Sequence, residues 1–298
     1  MTAHPGPIVA SRAGLSVVDC SRCGYAHLTE IPDPAALSRY YSSDFWQKEK
    51  AGWLARYEAQ ADWDAARWGD WLEFMEVQLS DDHDFWQGGP ANLLDVGAGY
   101  GGFVKAATES GWAALGWEPS QSAADYARQN NSRVVNMGWT PDAECGFQSA
   151  ISALWLVEHL PDPMAFLLWC HQHLELGGLL LAAVPNEFSL RQLHANAKAK
   201  THDYFVHHTH INYFSVSSFS NLLGRAGFTI IDRLATYPME YFVTAGLDYT
   251  DSPAIGDRCH TSVRMRDLRR TRASRIAFYR ELAAVGQGRD QIVIARAE

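Results

Sequence analysis

Short apolar runs recur along the chain from residue 92 onward, separated by stretches of helical spacing. The runs near 92–96, 113–117, 133–136, 149–155, 178–184, 228–234 and 290–296 have strand length and predict seven strands. The segments near 101–110, 120–129, 162–174 and 216–226 predict helices, with Gly111, Gly177-Gly178 and Gly227 as stops. Such alternation predicts an α/β fold, a mostly parallel sheet with helices on both faces. Residues 236–287 interrupt the alternation before the last run, Gln291-Ile292-Val293-Ile294-Ala295, and predict a helical insertion between the last two strands.

The first 87 residues differ in character and are rich in tryptophan: Trp46, Trp53, Trp63, Trp68, Trp71 and Trp86. Trp68, Trp71, Leu72, Met75 and Leu79 fall at helical spacing and predict a helix with one apolar face. Two uses of these aromatics stay open. They dock the helix on the next domain, or Tyr40, Tyr41, Trp46, Trp53 and Tyr57 close over a ligand as a lid. Gly88-Gly89-Pro90 breaks the chain here. The expected division is a hairpin and helical region at 1–87 and a sheet domain at 88–298 carrying the 236–287 insertion.

At 298 residues, with 47% hydrophobic and 20% charged positions, the composition is that of a globular protein. No apolar run approaches the ~20 residues of a membrane span, and Met1 to Gly14 lacks a signal-peptide pattern. A net charge of −9 disfavours nucleic acid as a partner. Five cysteines do not read as a disulfide framework and point to a reducing cytoplasm. A homo-oligomer is left open.

The sharpest chemical signal is Asp95-Val96-Gly97-Ala98-Gly99-Tyr100-Gly101-Gly102, a glycine turn between the first strand and the first helix of the sheet domain. Glycine lets a backbone turn tightly and come close to a ligand. Glu118 closes the second strand, where a carboxylate can accept the ribose hydroxyls of an adenosine-containing ligand. Nicotinamide enzymes usually show G-x-G-x-x-G without an acid just before it; here Asp95 precedes the turn.

Later segments narrow the choice: Glu118-Pro119-Ser120, Glu158-His159-Leu160 with Asp162-Pro163, Gly177-Gly178, Val184-Pro185-Asn186, and His210-Ile211-Asn212-Tyr213-Phe214-Ser215 before Ala226-Gly227-Phe228. With the glycine turn, they make the run 93–234 resemble the class I S-adenosylmethionine-dependent methyltransferases, in a branch similar to quinone O-methyltransferases and nucleotide-sugar C-methyltransferases. The resemblance implies a Rossmann-like seven-stranded sheet with its last strand antiparallel. It implies that Asp95, Gly97, Ala98 and Gly99 cradle the amino-acid and ribose part of the cofactor. Glu118, followed by Pro119, would hold the ribose, and Trp155 and Leu156 would line the substrate side. Two positions depart from the family pattern: Asn136-Met137-Gly138-Trp139 stands where an acidic or polar residue often touches the adenine, and Gln148 replaces an aspartate.

The resemblance implies methyl transfer without specifying the acceptor; the acidic balance, the lid-like N-terminal region and the insertion suit an enclosed pocket and so a small molecule, anionic or sugar-like among the options. A methyltransferase acting on protein or RNA, or an inactive cofactor binder, is the alternative. Transfer requires an aligned acceptor and often a base. Histidine suits that role near neutrality, and His194, His202, His207, His208 and His210 crowd one segment. His210 matches a histidine of the sugar C-methyltransferases, although Thr209 replaces the acid that precedes it there. His210 is therefore the candidate base, with His207 or His208 assisting, and a structural role for His210 in holding Tyr213 weighs against it.

Cys20-Ser21-Arg22-Cys23-Gly24 is half of a zinc ribbon, with His27 as a third ligand and His4, Cys259 or His260 as a fourth; a metal-free hairpin is the alternative. Arginines 258, 264, 266, 269, 270, 272, 275 and 280 concentrate positive charge in the insertion. They predict a solvated face, or a grip on an anionic acceptor through Arg264 and Arg266.

Overall fold

The computed structural model describes residues 4–49, 52–80 and 90–298. Trp86, Gly88, Gly89 and the expected boundary at 87 lie outside the described residues. The chain opens with three antiparallel strands, β1 (Ile8–Arg12), β2 (Leu15–Cys20) and β3 (Tyr25–Leu28). Four helical segments follow: α1 (Pro34–Arg39), a π-helix (Tyr40–Glu49), α2 (Trp53–Ala59) and α3 (Ala61–Ser80).

The alternation then runs through β4 (Asn92–Val96), α4 (Gly102–Glu109), β5 (Ala113–Glu118), α5 (Gln121–Gln129) and β6 (Val134–Asn136). It continues with β7 (Gln148–Leu154), a 3₁₀ turn (Val157–His159), α6 (Pro163–His173), β8 (Leu174–Pro185) and α7 (Leu190–Asn196). A two-residue strand, β9 (Asn212–Tyr213), precedes α8 (Val216–Arg225) and β10 (Phe228–Ala235). The insertion contains α9 (Glu240–Thr244), α10 (Pro253–Leu268) and α11 (Arg272–Ala284) before β11 (Asp290–Ala297) closes the sheet.

The seven strands lie in the order β10-β11-β8-β7-β4-β5-β6. β11 is antiparallel to both its neighbours, and the pairs from β8 to β6 are parallel. The seven expected strands and the antiparallel last one are all present. Their unbroken apolar sequence follows from burial on both faces. Leu179, Leu181 and Ala183 join one core layer, while Leu180, Ala182 and Val184 join the other. β8 begins earlier than expected, at Leu174, where the sequence reads as the end of a helix.

The tryptophan stripe of α3 is core. Leu72, Met75 and Leu79 are fully buried with Trp71 against Leu93, Phe103 and Val104. Each such aliphatic side chain contributes about 1.5–3 kcal/mol by leaving water. α3 is thereby fused to the sheet, whereas Tyr41, Phe45, Trp46 and Trp53 line a cavity above it. Trp63 and Trp71 of α3 line the same cavity, so Trp71 serves both the core and the cavity wall.

The insertion is tied to α2 and α3 by its arginines. Arg275 grips Asp70 through two bonds, Nε to Oδ2 at 2.7 Å and Nη2 to Oδ1 at 2.8 Å. Arg272 pairs with Glu73 at 2.6 Å, and Arg264 donates to the Ala59 carbonyl at 2.6 Å. Arg266 lies over the Tyr237 ring. Neither Arg264 nor Arg266 reaches the cavity wall, which corrects the expectation that they grip an acceptor. Among the described residues, no helix is long and apolar enough to cross a membrane.

Candidate active site

The glycine turn leaves the sheet at the carboxyl end of β4 and folds back over β5. The N–H groups of Gly97 and Ala98 both donate to the Trp117 carbonyl, at 2.8 and 2.9 Å. Gly99 adopts φ +53°, and a Cβ there would stand 3.3 Å from the Trp46 ring, so the turn presents bare backbone to the cavity. Its N–H donates to Glu118 Oε2 at 2.9 Å. Glu118 Oε1 accepts from the Ser120 N–H at 2.9 Å and from Trp46 Nε1 at 3.2 Å. Burial raises the Glu118 pKa, and these three donors oppose that shift.

Asp95 sits behind the turn, nearly fully buried, and accepts from Ser152 Oγ at 2.7 Å. Burial pushes its carboxyl up to about 7. Asp95 and Ala98 are not on the cavity wall; Gly97, Gly99, Glu118, Pro119 and Trp155 are. Trp155 holds φ +52°, an uncommon conformation for a large side chain. Its ring packs on Trp71 and faces the Arg67 guanidinium. Asn136 does not reach the cavity: its amide donates to the Glu118 and Pro119 carbonyls and fixes the loop, leaving Met137 and Trp139 as cover on that side. The residues present therefore fit an adenosine-containing cofactor, with a buried acceptor at Glu118 beside a side-chain-free turn.

The cavity has a volume of about 940 Å³ and continues from the glycine turn to a wall of histidines, His159, His207 and His210. His194 and His202 lie outside it. The histidine loop is fastened to the turn after β7. The Ile211 N–H donates to the Glu158 carbonyl at 2.8 Å, and the Asn212 amide donates to the Val157 and Leu160 carbonyls. This brings His159 and His210 to a ring separation of 5.0 Å. His159 Nδ1 lies 2.6 Å from the Thr209 carbonyl, which only accepts, so the ring proton sits on Nδ1. The Tyr41 hydroxyl is 3.0 Å from the same nitrogen.

Asp203, the carboxylate nearest to His207 and His210 in sequence, lies apart from the cavity wall. Asp203 instead binds the Ser11 N–H and the Asn196 side chain, and the neighbouring carboxylate is Glu158. Glu158 is fully buried with neither oxygen hydrogen-bonded, and desolvation holds its pKa well above the usual carboxylate range. Tyr213 is held by His207, whose backbone N–H and carbonyl both bond the phenol at 3.1 Å. Arg67, Arg275 and Arg289 on the cavity wall each face a carboxylate, of Asp64, Asp70 and Glu187 respectively.

A second cluster lies on the N-terminal sheet. His4, Cys20, Cys23 and His27 bring one ligand atom each to within 4.8 Å of one another. Cys259 packs elsewhere, with Met239 and Val263, and His260 is on the cavity wall, so His4 is the one of the three fourth-ligand candidates at the knuckle.

Comparison with known proteins agrees with the fold. Among proteins of curated function, none matches the sequence. In fold, the chain is similar to the magnesium protoporphyrin IX methyltransferase of Synechocystis PCC 6803, solved with bound S-adenosylhomocysteine. That match has 13% identity, covers 89% of this chain and 100% of that one, and has a TM-score of 0.53. A methyltransferase of Haloferax volcanii, solved with the Trm112 methyltransferase activator, is similar at 14% identity, 86% and 97% coverage, and a TM-score of 0.51. A Galdieria sulphuraria protein assigned as a sarcosine dimethylglycine methyltransferase matches at 14% identity, 77% and 85% coverage, and a TM-score of 0.50. The family model of the methyltransferase domain matches residues 58–233, from α2 through the glycine turn to β10. The chain belongs to the class I S-adenosylmethionine-dependent methyltransferases, transferases of the EC 2.1.1 type.

Proposed function

We propose that the acceptor is a small molecule enclosed in the cavity between the glycine turn and the histidine loop. The observation that carries this is continuity: cofactor wall and histidine wall bound one space of about 940 Å³, roofed by Tyr41, Phe45 and Trp53. Of the four guanidiniums on that wall, those of Arg67, Arg275 and Arg289 are matched by carboxylates and that of Arg56 lies over the Trp53 ring, and aromatic rings dominate the roof. This favours an aromatic or otherwise apolar acceptor with one ionisable group over a polyanionic or nucleotide-sugar one.

S-adenosylmethionine supplies an electrophilic methyl group on a sulfonium sulfur when bound. Glu118 and the bare backbone at Gly97 and Gly99 would hold its ribose and amino-acid part. An acceptor held against that methyl group by the histidine wall would give up its proton to His159 Nε2. With the other ring proton on Nδ1, held by Thr209, Nε2 carries the lone pair. His210, whose ring stands 5.0 Å from His159, orients the acceptor, with His207 beside it. The odd cysteine count fits a cytoplasmic setting. A zinc ion is the second cofactor we propose, in a structural role at the Cys20–Cys23 knuckle.

Methyl transfer from isotope-labelled S-adenosylmethionine into small-molecule extracts, read by mass spectrometry, tests the proposal. A labelled product of low mass is expected. Label found only in protein or RNA would overturn it.

A further inference from the structure

The knuckle is built as a metal site and is wired to the histidine loop. Cys20 ends β2, Cys23 lies in the turn, and Gly24 takes φ +78° so that its N–H returns to the Cys20 carbonyl at 2.8 Å. The Cys23 N–H points at Cys20 Sγ, 3.4 Å away. His27 projects from β3 and is 1% exposed. Its Nδ1 donates to the Leu28 carbonyl at 2.7 Å, which fixes the tautomer and leaves the lone pair on Nε2. That Nε2 is buried with no hydrogen-bond partner, a costly state for a nitrogen unless something else binds it.

His4 arrives from outside the strands. Pro5 and Pro7 carbonyls accept from the Ser21 and Asp19 N–H groups and dock the segment along the end of β2. His4 Nδ1 then stands 3.6 Å from Cys20 Sγ and 3.4 Å from Cys23 Sγ. A tetrahedral zinc with sulfur at ~2.3 Å and nitrogen at ~2.0–2.1 Å requires nitrogen–sulfur edges of roughly 3.5 Å. These two separations match that edge, and the four ligand atoms lie within 4.8 Å of one another.

We infer that His4, Cys20, Cys23 and His27 form a Cys2His2 zinc centre that braces the acceptor-side histidine loop. The connection is short. β3 pairs with β9, setting His27 against Asn212 and Ala26 against Tyr213, and the Leu28 N–H donates to the Ile211 carbonyl at 2.8 Å. Asn212 is two residues from His210 and clamps the turn that carries His159. Closing the knuckle therefore fixes the strand on which the loop ends. The brace rests on the zinc ion proposed above, and the two parts fail separately.

The test uses the full chain. Elemental analysis after zinc-supplemented expression is expected to give about one zinc per chain. Cobalt substitution is expected to give a thiolate-to-metal charge-transfer band, lost in Cys23→Ser. His4→Ala, at an exposed site outside the strands, should fold and lose zinc affinity about tenfold or more. Absence of both zinc and the cobalt band overturns the centre, and unchanged affinity in His4→Ala overturns the four-ligand set. Hydrogen exchange of the zinc-loaded and chelator-stripped protein reads the brace. Protection at 207–213 should fall on stripping while 92–96 stays protected. Equal exchange at 207–213 in both forms would leave the zinc in place and overturn its bracing role.

Discussion

Trp46 donates its indole N–H to Glu118 Oε1 at 3.2 Å, and its ring covers the bare face of Gly99. The indole thus uses the acceptor that ribose hydroxyls would need, and it stands where a cofactor would approach. Cofactor and indole compete for one carboxylate oxygen. Trp46→Phe keeps a ring and removes the donor. We expect this variant to bind S-adenosylhomocysteine about three- to tenfold more tightly, the worth of one hydrogen bond. Calorimetry checks this, and weaker binding would mean that Trp46 holds the cofactor rather than excludes it.

Glu118 has the opposite sign. It anchors the turn through the Gly99 and Ser120 N–H groups as well as offering itself to the ligand. Glu118→Ala should weaken S-adenosylhomocysteine binding roughly 10- to 100-fold, because bonds to a charged acceptor are among the stronger ones. Affinity within about twofold of the parent protein would remove Glu118 from the cofactor site.

Asp95 carries a pH signature. Its carboxyl titrates near 7 in the folded chain because burial disfavours the charge, against about 3.9 when unfolded. Between those values the folded state holds the proton and the unfolded state does not. The contribution of Asp95 to stability is therefore full below about pH 4 and is lost as pH rises through 7. Asp95→Asn keeps an acceptor for Ser152 and cannot ionise. Its stability relative to the parent should rise from pH 5 to pH 8, by about 1.4 kcal/mol for each pKa unit spanned. Denaturant unfolding at the two pH values measures this, and parallel curves would contradict it.

The Arg275–Asp70 pair joins the insertion to α3 with both partners buried. Removing Arg275 leaves the buried Asp70 carboxylate with only the exposed Arg272 guanidinium, 3.5 Å away, so Arg275→Met should cost about 3 kcal/mol, the low end for a broken buried pair. The double variant Arg275→Met with Asp70→Leu should recover most of that loss. A double variant no better than the single one would place the stabilisation elsewhere.

Much of this was legible in the sequence, for a definite reason. Strands buried on both faces leave apolar runs such as Leu179 to Val184, and Gly97, Gly99 and Glu118 are chemically marked by the turn they make. What stayed hidden depends on residues distant in the chain. β9 is only Asn212 and Tyr213, too short for any periodicity, and its partner β3 is near the N-terminus. Glu158 entered the histidine cluster for the same reason: its carbonyl, bonded by Ile211, sets the approach. The arginine strip is in part the solvated face expected, with Arg258, Arg269, Arg272 and Arg280 exposed, but its partners were hidden because charge density says nothing about them. Asp70 and Glu73 lie on another helix.

His159 is the residue on which the chemistry can be tested most directly. Its Nδ1 proton is committed to the Thr209 carbonyl, and its ring faces His210 on the cavity wall. A general base of this kind contributes typically 10²- to 10⁴-fold. His159→Ala should therefore lower label transfer by on the order of 100-fold or more, with S-adenosylhomocysteine affinity unchanged because Glu118 and the glycine turn are untouched. His210→Ala should act mainly through acceptor KM, as expected of a group that orients rather than accepts the proton. If His210→Ala instead abolishes turnover while His159→Ala spares it, the two roles are exchanged and the base is the histidine picked out by the sequence pattern.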